Sequence, residues 1–406
     1  MGPVPSPALC YGTNVHPAED LAAIHRMIEG PAAAVRAAVA PGGMLGLGLW
    51  LPAGAASAIA SSRDAAAETR SRLAAAGLTI ATLNAFPAGG FHGPRVKERA
   101  YLPDWGDPAR LEYTREVGRT AARLLEPGTT CVASTLPGTW KAWRDGPAEV
   151  RTLARGLAEA ARYLADLADG TGVRVVLAPE PEPGCTLETV EETVDFWKRD
   201  LLPELGAGEA ADRLLGHLGI CVDLCHHAVA GEDPADSIRR LRRAGVPVAK
   251  VQVSAALEVE RPAEDPRAVE ALRLFDEPRW LHQAGARDRL GVLRRAADLP
   301  EVFGDLGTWL RRSPWRVHFH APIHREEVAG VRTTSALVPP AIREALSGGD
   351  PPPVLEVETY TWSAVPGWRG SREELAAGIA EELRFARRAM ESSSPAAVPG
   401  DNPGAP

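Results

Sequence analysis

The run Gly219-Ile220-Cys221-Val222-Asp223-Leu224-Cys225-His226-His227 begins apolar and ends in an acid and two imidazoles. Its apolar part has the continuity of a strand buried on both faces, as in parallel sheets. Asp223 falls where such a strand ends, and His226 follows three residues on, toward the next helix. A carboxylate and an imidazole so placed can turn to one point and share a divalent cation. The same pair also serves as a helix cap and its local hydrogen-bond partner. The other elements must decide between the two.

Strand-like runs alternate with helical ones along almost the whole chain. The strand-like runs cover 8–17, 44–51, 78–87, 130–136, 173–182, 219–223, 248–254, 315–322 and 353–362. Such alternation predicts parallel strands joined by helical crossovers, and an α/β fold of the TIM (β/α)8 barrel type. One barrel domain is expected over 1–390, longer than the usual ~250 residues because of insertions at about 88–108 and 258–314. Nine runs compete for eight places, so either Val248–Ser254 or Trp315–Pro322 is surplus. Residues 391–406 are rich in Ser, Pro, Ala and Gly and read as a disordered tail.

The composition narrows the function classes. A formal net charge of −8 over 406 residues argues against general nucleic-acid binding, which needs a basic surface. No run approaches the ~18 apolar residues of a transmembrane helix, and Met1–Ala8 lacks the pattern of a secretory signal. The five cysteines are scattered and odd in number, which gives no disulfide framework. Reduced thiols and a cytoplasmic location follow as expectations.

In a barrel the strand C-termini share one face. The residues there are Asn14 and His16, Trp50, Asn84, Ser134 and Thr135, Glu180 and Glu182, Asp223 and His226, Gln252 and Ser254, His318 and His320, and Glu356 and Glu358. Carboxylates, imidazoles and amides dominate, which favours one divalent ion of Mn, Mg or Zn. A paired carboxylate beside it, Glu180 or Glu358, would move a proton. Trp50, Trp105, Trp140, Trp143 and Trp362 follow strands and would form an apolar rim around this polar floor. The long stretch 88–108 carries Phe91, His92, Tyr101 and Trp105 and is expected to cover the mouth. Arg95, Lys97 and Arg99 in it could receive an anionic group or simply be solvated. The expected ligand-binding residues are Asn14, His16, Trp50, Asn84, His92, Trp105, Trp140, Gln252 and Trp362.

Ala178-Pro179-Glu180-Pro181-Glu182-Pro183, Asp223-x-x-His226, His318-Phe319-His320 and the acids of the last strand resemble the xylose isomerase-like barrels, the superfamily of sugar phosphate isomerases and epimerases. In that group a Glu on strand five, an acid with a following His on strand six, a His on strand seven and an acid on strand eight hold the metal. The resemblance therefore implies Glu180, Asp223, His320 and Glu358 as ligands, with His226 a ligand or beside them. Glu182 stands where xylose isomerases place a catalytic Lys. More narrowly, Tyr11-Gly12-Thr13-Asn14-Val15-His16-Pro17, Asn84-Ala85-Phe86-Pro87 and Glu356-Val357-Glu358-Thr359-Tyr360-Thr361-Trp362 are similar to the EboE family of bacterial metabolite traffic proteins. That likeness implies a role in secondary metabolism, a small-molecule precursor as ligand, and partner proteins from a metabolite-export gene cluster.

Two readings share this pocket: a metal-dependent isomerase or epimerase, and a non-catalytic metabolite carrier. A third, an endonuclease on the same barrel, is disfavoured by the acidic charge.

Overall fold

Seven of the barrel strands come from the first two thirds of the chain and the eighth from near its end. The computed structural model describes residues 9–348 and 351–392. Strands β1 (Leu9–Gly12), β2 (Leu45–Trp50), β3 (Leu78–Asn84), β4 (Thr130–Thr135), β5 (Arg174–Pro179), β6 (Ile220–Asp223) and β7 (Val248–Val253) come first. Six short strands follow: β8 (Leu257–Val259), β9 (Ala284–Arg287), β10 (Leu293–Ala296), β11 (Trp315–Val317), β12 (Glu327–Val328) and β13 (Val331–Thr333). Strand β14 (Val354–Val357) then returns to the barrel.

The barrel sheet runs β5-β4-β3-β2-β1-β14-β7-β6, with every pair parallel. It nearly closes, since β5 meets the β6 side through a parallel bridge between Leu177 and Leu218. Helices cover the outside through alanine and leucine faces. Helix Pro147–Thr171 buries Leu153, Ala154, Leu157, Ala158, Ala161 and Leu164, and each such leucine stabilises by about 1.5–3 kcal/mol. Gly118 on the neighbouring helix Pro108–Leu124 permits the approach, because a Cβ there would stand 2.7 Å from Leu164 Cδ2.

Side chains repeat every second residue along a strand, so the barrel interior fills in layers. Glu356 and Glu358 point the same way, one layer apart. The lower one pairs with Lys250 of β7 at 3.0 Å, and both side chains are wholly buried. Glu356 needs the space over Gly48, where a Cβ would lie 2.1 Å from Glu356 Oε2. The upper layer carries the polar residues of the site.

Of the two runs competing for one barrel place, Val248–Val253 takes it, between β14 and β6. The run expected over 315–322 pairs only over Trp315–Val317, antiparallel to β8 and β9 and outside the barrel. It belongs to a six-stranded sheet of order β10-β9-β11-β8-β13-β12. That sheet has its own core, including Phe275, Leu299, Val302, Trp309, Trp315 and Phe319. The stretch 258–314, which has little strand signal in the sequence, thus holds strands of three and four residues, too short to show a period. Helix Arg372–Glu391 closes the fold. The expected tail lies outside the described residues from 393 onward.

Candidate metal centre

Asp223 ends β6 and caps the following helix Leu224–Val229. Its Oδ1 accepts the backbone N–H of His226 at 2.8 Å and the hydroxyl of Ser254 at 2.8 Å. Its Oδ2 is buried and has no hydrogen-bond partner among the described residues. The cap and the metal-ligand readings are therefore compatible, with one oxygen free for a cation. Glu180, just beyond β5, likewise holds a buried Oε2 with no partner. Glu358, just beyond β14, is steadied through Oε1 by Asn14 Nδ2 at 2.7 Å and Asn84 Nδ2 at 3.3 Å. One carboxylate oxygen from each of Glu180, Asp223 and Glu358 lies within 4.8 Å of the others.

Imidazoles close the other side. His226 Nε2 is 3.2 Å from His318 Nε2, which is 3.1 Å from His320 Nε2. His320 Nε2 is 4.0 Å from Asp223 Oδ2. Neither His318 nor His320 stands at a barrel strand end, contrary to the placement the family pattern implies. The end of β7 carries Gln252 and Ser254 instead, and the second sheet delivers both histidines from the chain after β11.

Burial sets the protonation states. It raises Glu180 well above the usual carboxylate range, helped by the charges of Glu358 and Asp223. It pushes Glu358 up to about 8, with Asp223 adding to the effect, and Glu182 up to about 8 as well. Burial would raise Asp223 too, but His226, His320 and its hydrogen bonds outweigh it and hold this carboxyl low. His226 falls to about 4, and His318 and His320 also fall, all first through burial. At neutral pH the imidazoles are uncharged and fit to ligate. Two buried orphan carboxylate oxygens, on Asp223 and Glu180, beside neutral imidazoles suit a divalent cation, which would also ionise Glu180 on binding it.

Asn14, Asn84, Glu180, His226, His320 and Glu358 line a cavity of about 60 Å³. Its roof is apolar, from Phe86, Phe91, Trp280, Leu281 and Tyr360. Trp50 and His92 stand behind Phe91, with ring centroids 5.9 and 5.5 Å from it. Trp140 stacks on Tyr101 at 5.0 Å and supports the wall from outside. The remaining expected ligand-binding residues do not line this cavity. His16 pairs with the Tyr11 hydroxyl at 3.3 Å. Gln252 lies inside the barrel and accepts the Cys221 thiol at 3.0 Å. Trp105 bonds the carbonyl of Leu136 at 2.8 Å and packs on Gly156. Trp362 bonds Glu382 at 2.9 Å and packs on Gly378 of the closing helix. In these last two the indole fills a helix–loop joint, where its N–H finds a buried acceptor.

The stretch 88–108 does lie over the mouth, since Phe91, Lys97, Ala100 and Tyr101 line the cavity. Lys97 is not free for an anion, because its ammonium bonds Asp298 at 2.6 Å and the carbonyl of Glu277 at 3.1 Å. Arg95 and Arg99 are exposed. Sequence reasoning placed His318 and Glu182 on the barrel face and Tyr101 in the covering stretch but gave them no binding role, and it left out Tyr360, Trp280 and Gln283. The spacing His318-x-His320 was the one available signal, since residues two apart share a face in extended chain.

A family model described as the xylose isomerase-like TIM barrel matches residues 43–269. The chain belongs to this family. The xylose isomerase-like match includes Glu180, Glu182, Asp223 and His226 but stops before His318, His320 and Glu358. A search of curated proteins finds no match. Among solved structures, a D-tagatose 3-epimerase-like protein is 13% identical, with 95% of this chain and 98% of the other covered and a TM-score of 0.46. A xylose isomerase domain protein from Planctomyces limnophilus is 12% identical, covers 86% and 89%, and has a TM-score of 0.46. The IolI protein, solved with a zinc atom, is 13% identical, covers 61% and 73%, and has a TM-score of 0.35. At these identities the likeness concerns the fold. No helix among the described residues is long and apolar enough to cross a membrane.

Proposed function

We propose that this protein is a metal-dependent enzyme of the isomerase or epimerase type, acting on a small hydroxy-carbonyl metabolite. Its one divalent cation lies among Glu180, Asp223, His226, His320 and Glu358. The reading rests on Glu180, whose Oε2 is buried and unpartnered and which lies with Asp223 and the second raised acid, Glu358, so that one oxygen of each is within 4.8 Å of the others. A bound divalent cation supplies Lewis acidity that makes the proton beside a carbonyl acidic. Glu180, ionised beside the cation, would take that proton from carbon, and Glu358, kept protonated by its burial and aimed by Asn14 and Asn84, would return one; exchange with solvent would then reset the pair. The aromatic roof excludes water and receives the apolar face of the ligand.

The resemblance of its motifs to the EboE proteins supports a step in secondary metabolism, in the cytoplasm beside other proteins of a metabolite-export cluster. The test is exchange of solvent deuterium into a metabolite that the protein binds, followed by mass spectrometry. Wild type should incorporate one deuterium at carbon, and Glu180→Gln and Glu358→Gln should stop it with binding retained. Tight binding without any exchange by wild type would refute the enzyme reading and favour the carrier.

A further inference from the structure

We propose that His318 is a cation ligand, joined with His226 and His320 in a three-imidazole cradle that makes this centre zinc-selective. The inference rests on the metal-dependent reading and deepens it.

The far nitrogen of each ring decides the matter. His226 Nδ1 meets the carbonyl of Pro181 at 3.1 Å, and His320 Nδ1 meets the carbonyl of Glu358 at 2.9 Å. His318 Nδ1 meets Gln283 Oε1 at 2.7 Å. The Gln283 amide cannot be turned round, because its nitrogen faces the carbonyl of Pro183 and Glu182 Oε1, both at 3.2 Å. All three partners of Nδ1 only accept, so each ring carries its proton on Nδ1. Each Nε2 is then a bare lone pair, and that of His318 lies 3.2 Å from that of His226 and 3.1 Å from that of His320.

No proton lies among these lone pairs to bind the rings to one another. The Tyr360 hydroxyl, 3.3 Å from His318 Nε2, can satisfy one of them and not three. A cation satisfies all three. Zn–N bonds of ~2.0–2.1 Å in a tetrahedral set place neighbouring nitrogens about 3.3 Å apart, close to the spacing here. Asp223 Oδ2, unpartnered and 4.0 Å from His320 Nε2, is in reach as a fourth ligand. Ligating imidazoles held through their far N–H by a carbonyl are also the usual outer arrangement of a zinc site. A nitrogen-rich set favours Zn²⁺ over Mg²⁺ and Mn²⁺. His318, His320 and Gln283 all lie beyond the residues that match the family model, so the second sheet builds this half of the centre.

The test uses full-length untagged protein, stripped with a chelator and titrated with Zn²⁺ and with Mn²⁺ against a competing chromophoric chelator. Wild type should bind one Zn²⁺ per chain, at least about 100-fold tighter than Mn²⁺. His318→Ala should lose at least about tenfold in zinc affinity, and Gln283→Leu, which frees the His318 tautomer, about 10–100-fold. Mn²⁺ affinity should change less than about threefold in both. Co²⁺-loaded wild type should show an intense tetrahedral visible band, and both variants should lose it. Circular dichroism checks the fold, and Gln283→Leu serves if His318→Ala does not fold. Zinc affinity that is unchanged in both variants would overturn the role of His318 and leave the metal-dependent reading in place. Wild type that binds neither cation would overturn both.

Discussion

The carboxylate of Asp223 is divided between two tasks: Oδ1 accepts the backbone N–H of His226 at 2.8 Å, and Oδ2 is buried without a partner. The first task stabilises the helix start by about 1 kcal/mol. The second costs about 1–3 kcal/mol unless something occupies that oxygen. Asp223→Asn keeps an acceptor for the cap and removes the negative charge. Both Asp223→Asn and Asp223→Ala should lose bound metal by elemental analysis. Only the alanine variant should lose a further ~1 kcal/mol in urea unfolding of the stripped protein. Metal content unchanged in both variants would remove Asp223 from the centre.

Stability of the metal-free protein should fall as pH rises from about 6.5 to 8. His226 titrates at about 4 in the fold, so between there and the unfolded value near 6.5 the unfolded chain binds more protons. Taken alone, this group makes stability rise with pH across that window. Glu358 and Glu182 titrate at about 8 in the fold, against about 4.5 in the unfolded chain. Between those values the fold binds more protons, so these two acids make stability fall as pH rises from about 4.5 to 8 and oppose the histidine below 6.5. Above pH 6.5 only the second effect remains. A bound divalent cation should flatten this fall, because it stabilises the ionised acids. Melting temperatures from pH 5 to 8.5, with and without Zn²⁺ or Mn²⁺, check the sign. A metal-free melting temperature that climbs steadily to pH 8.5 would contradict it.

Lys250 and Glu356 form an ion pair inside the barrel at 3.0 Å, under the site. Removing one partner leaves a buried charge uncompensated, at a cost of about 3–5 kcal/mol. Lys250→Met and Glu356→Leu should each destabilise by roughly that amount in guanidinium unfolding. The double variant should lose much less than their sum. Gly48→Ala should also destabilise, because its Cβ would stand 2.1 Å from Glu356 Oε2. Additive losses in the double variant would mean the two side chains act independently.

The ammonium of Lys97 ties the stretch over the mouth to Asp298, the N-cap of helix Leu299–Gly304, and the backbone N–H groups of Val96 and Lys97 both donate to the carbonyl of Arg279. Lys97→Ala cuts the side-chain tie and leaves the backbone pair. Hydrogen exchange over 88–101 should quicken several-fold, with the barrel strands unchanged. Equal exchange in wild type and variant would show that the backbone contacts alone hold the cover.

The sequence by itself determined the barrel, because strand and helix periods are local properties of neighbouring residues. It also determined that Asn14, Asn84, Glu180, Asp223 and Glu358 meet, since each follows or ends a strand whose two-residue period faces the interior. Tertiary structure decided the rest. His318 and His320 follow the short strand β11 rather than a barrel strand, and their approach to His226 depends on antiparallel pairing of β11 with β8 and β9. Such pairings join residues far apart in the chain and leave no local period over three or four residues. Gln252 shared the strand-end pattern but turned to the Cys221 thiol within the barrel. Trp105 and Trp362 had the right composition for a rim, yet they pack at Gly156 and Gly378, where missing side chains leave room for an indole. Which surface an aromatic ring covers is set by the shape of its distant neighbour, and that shape exists only once the chain has folded.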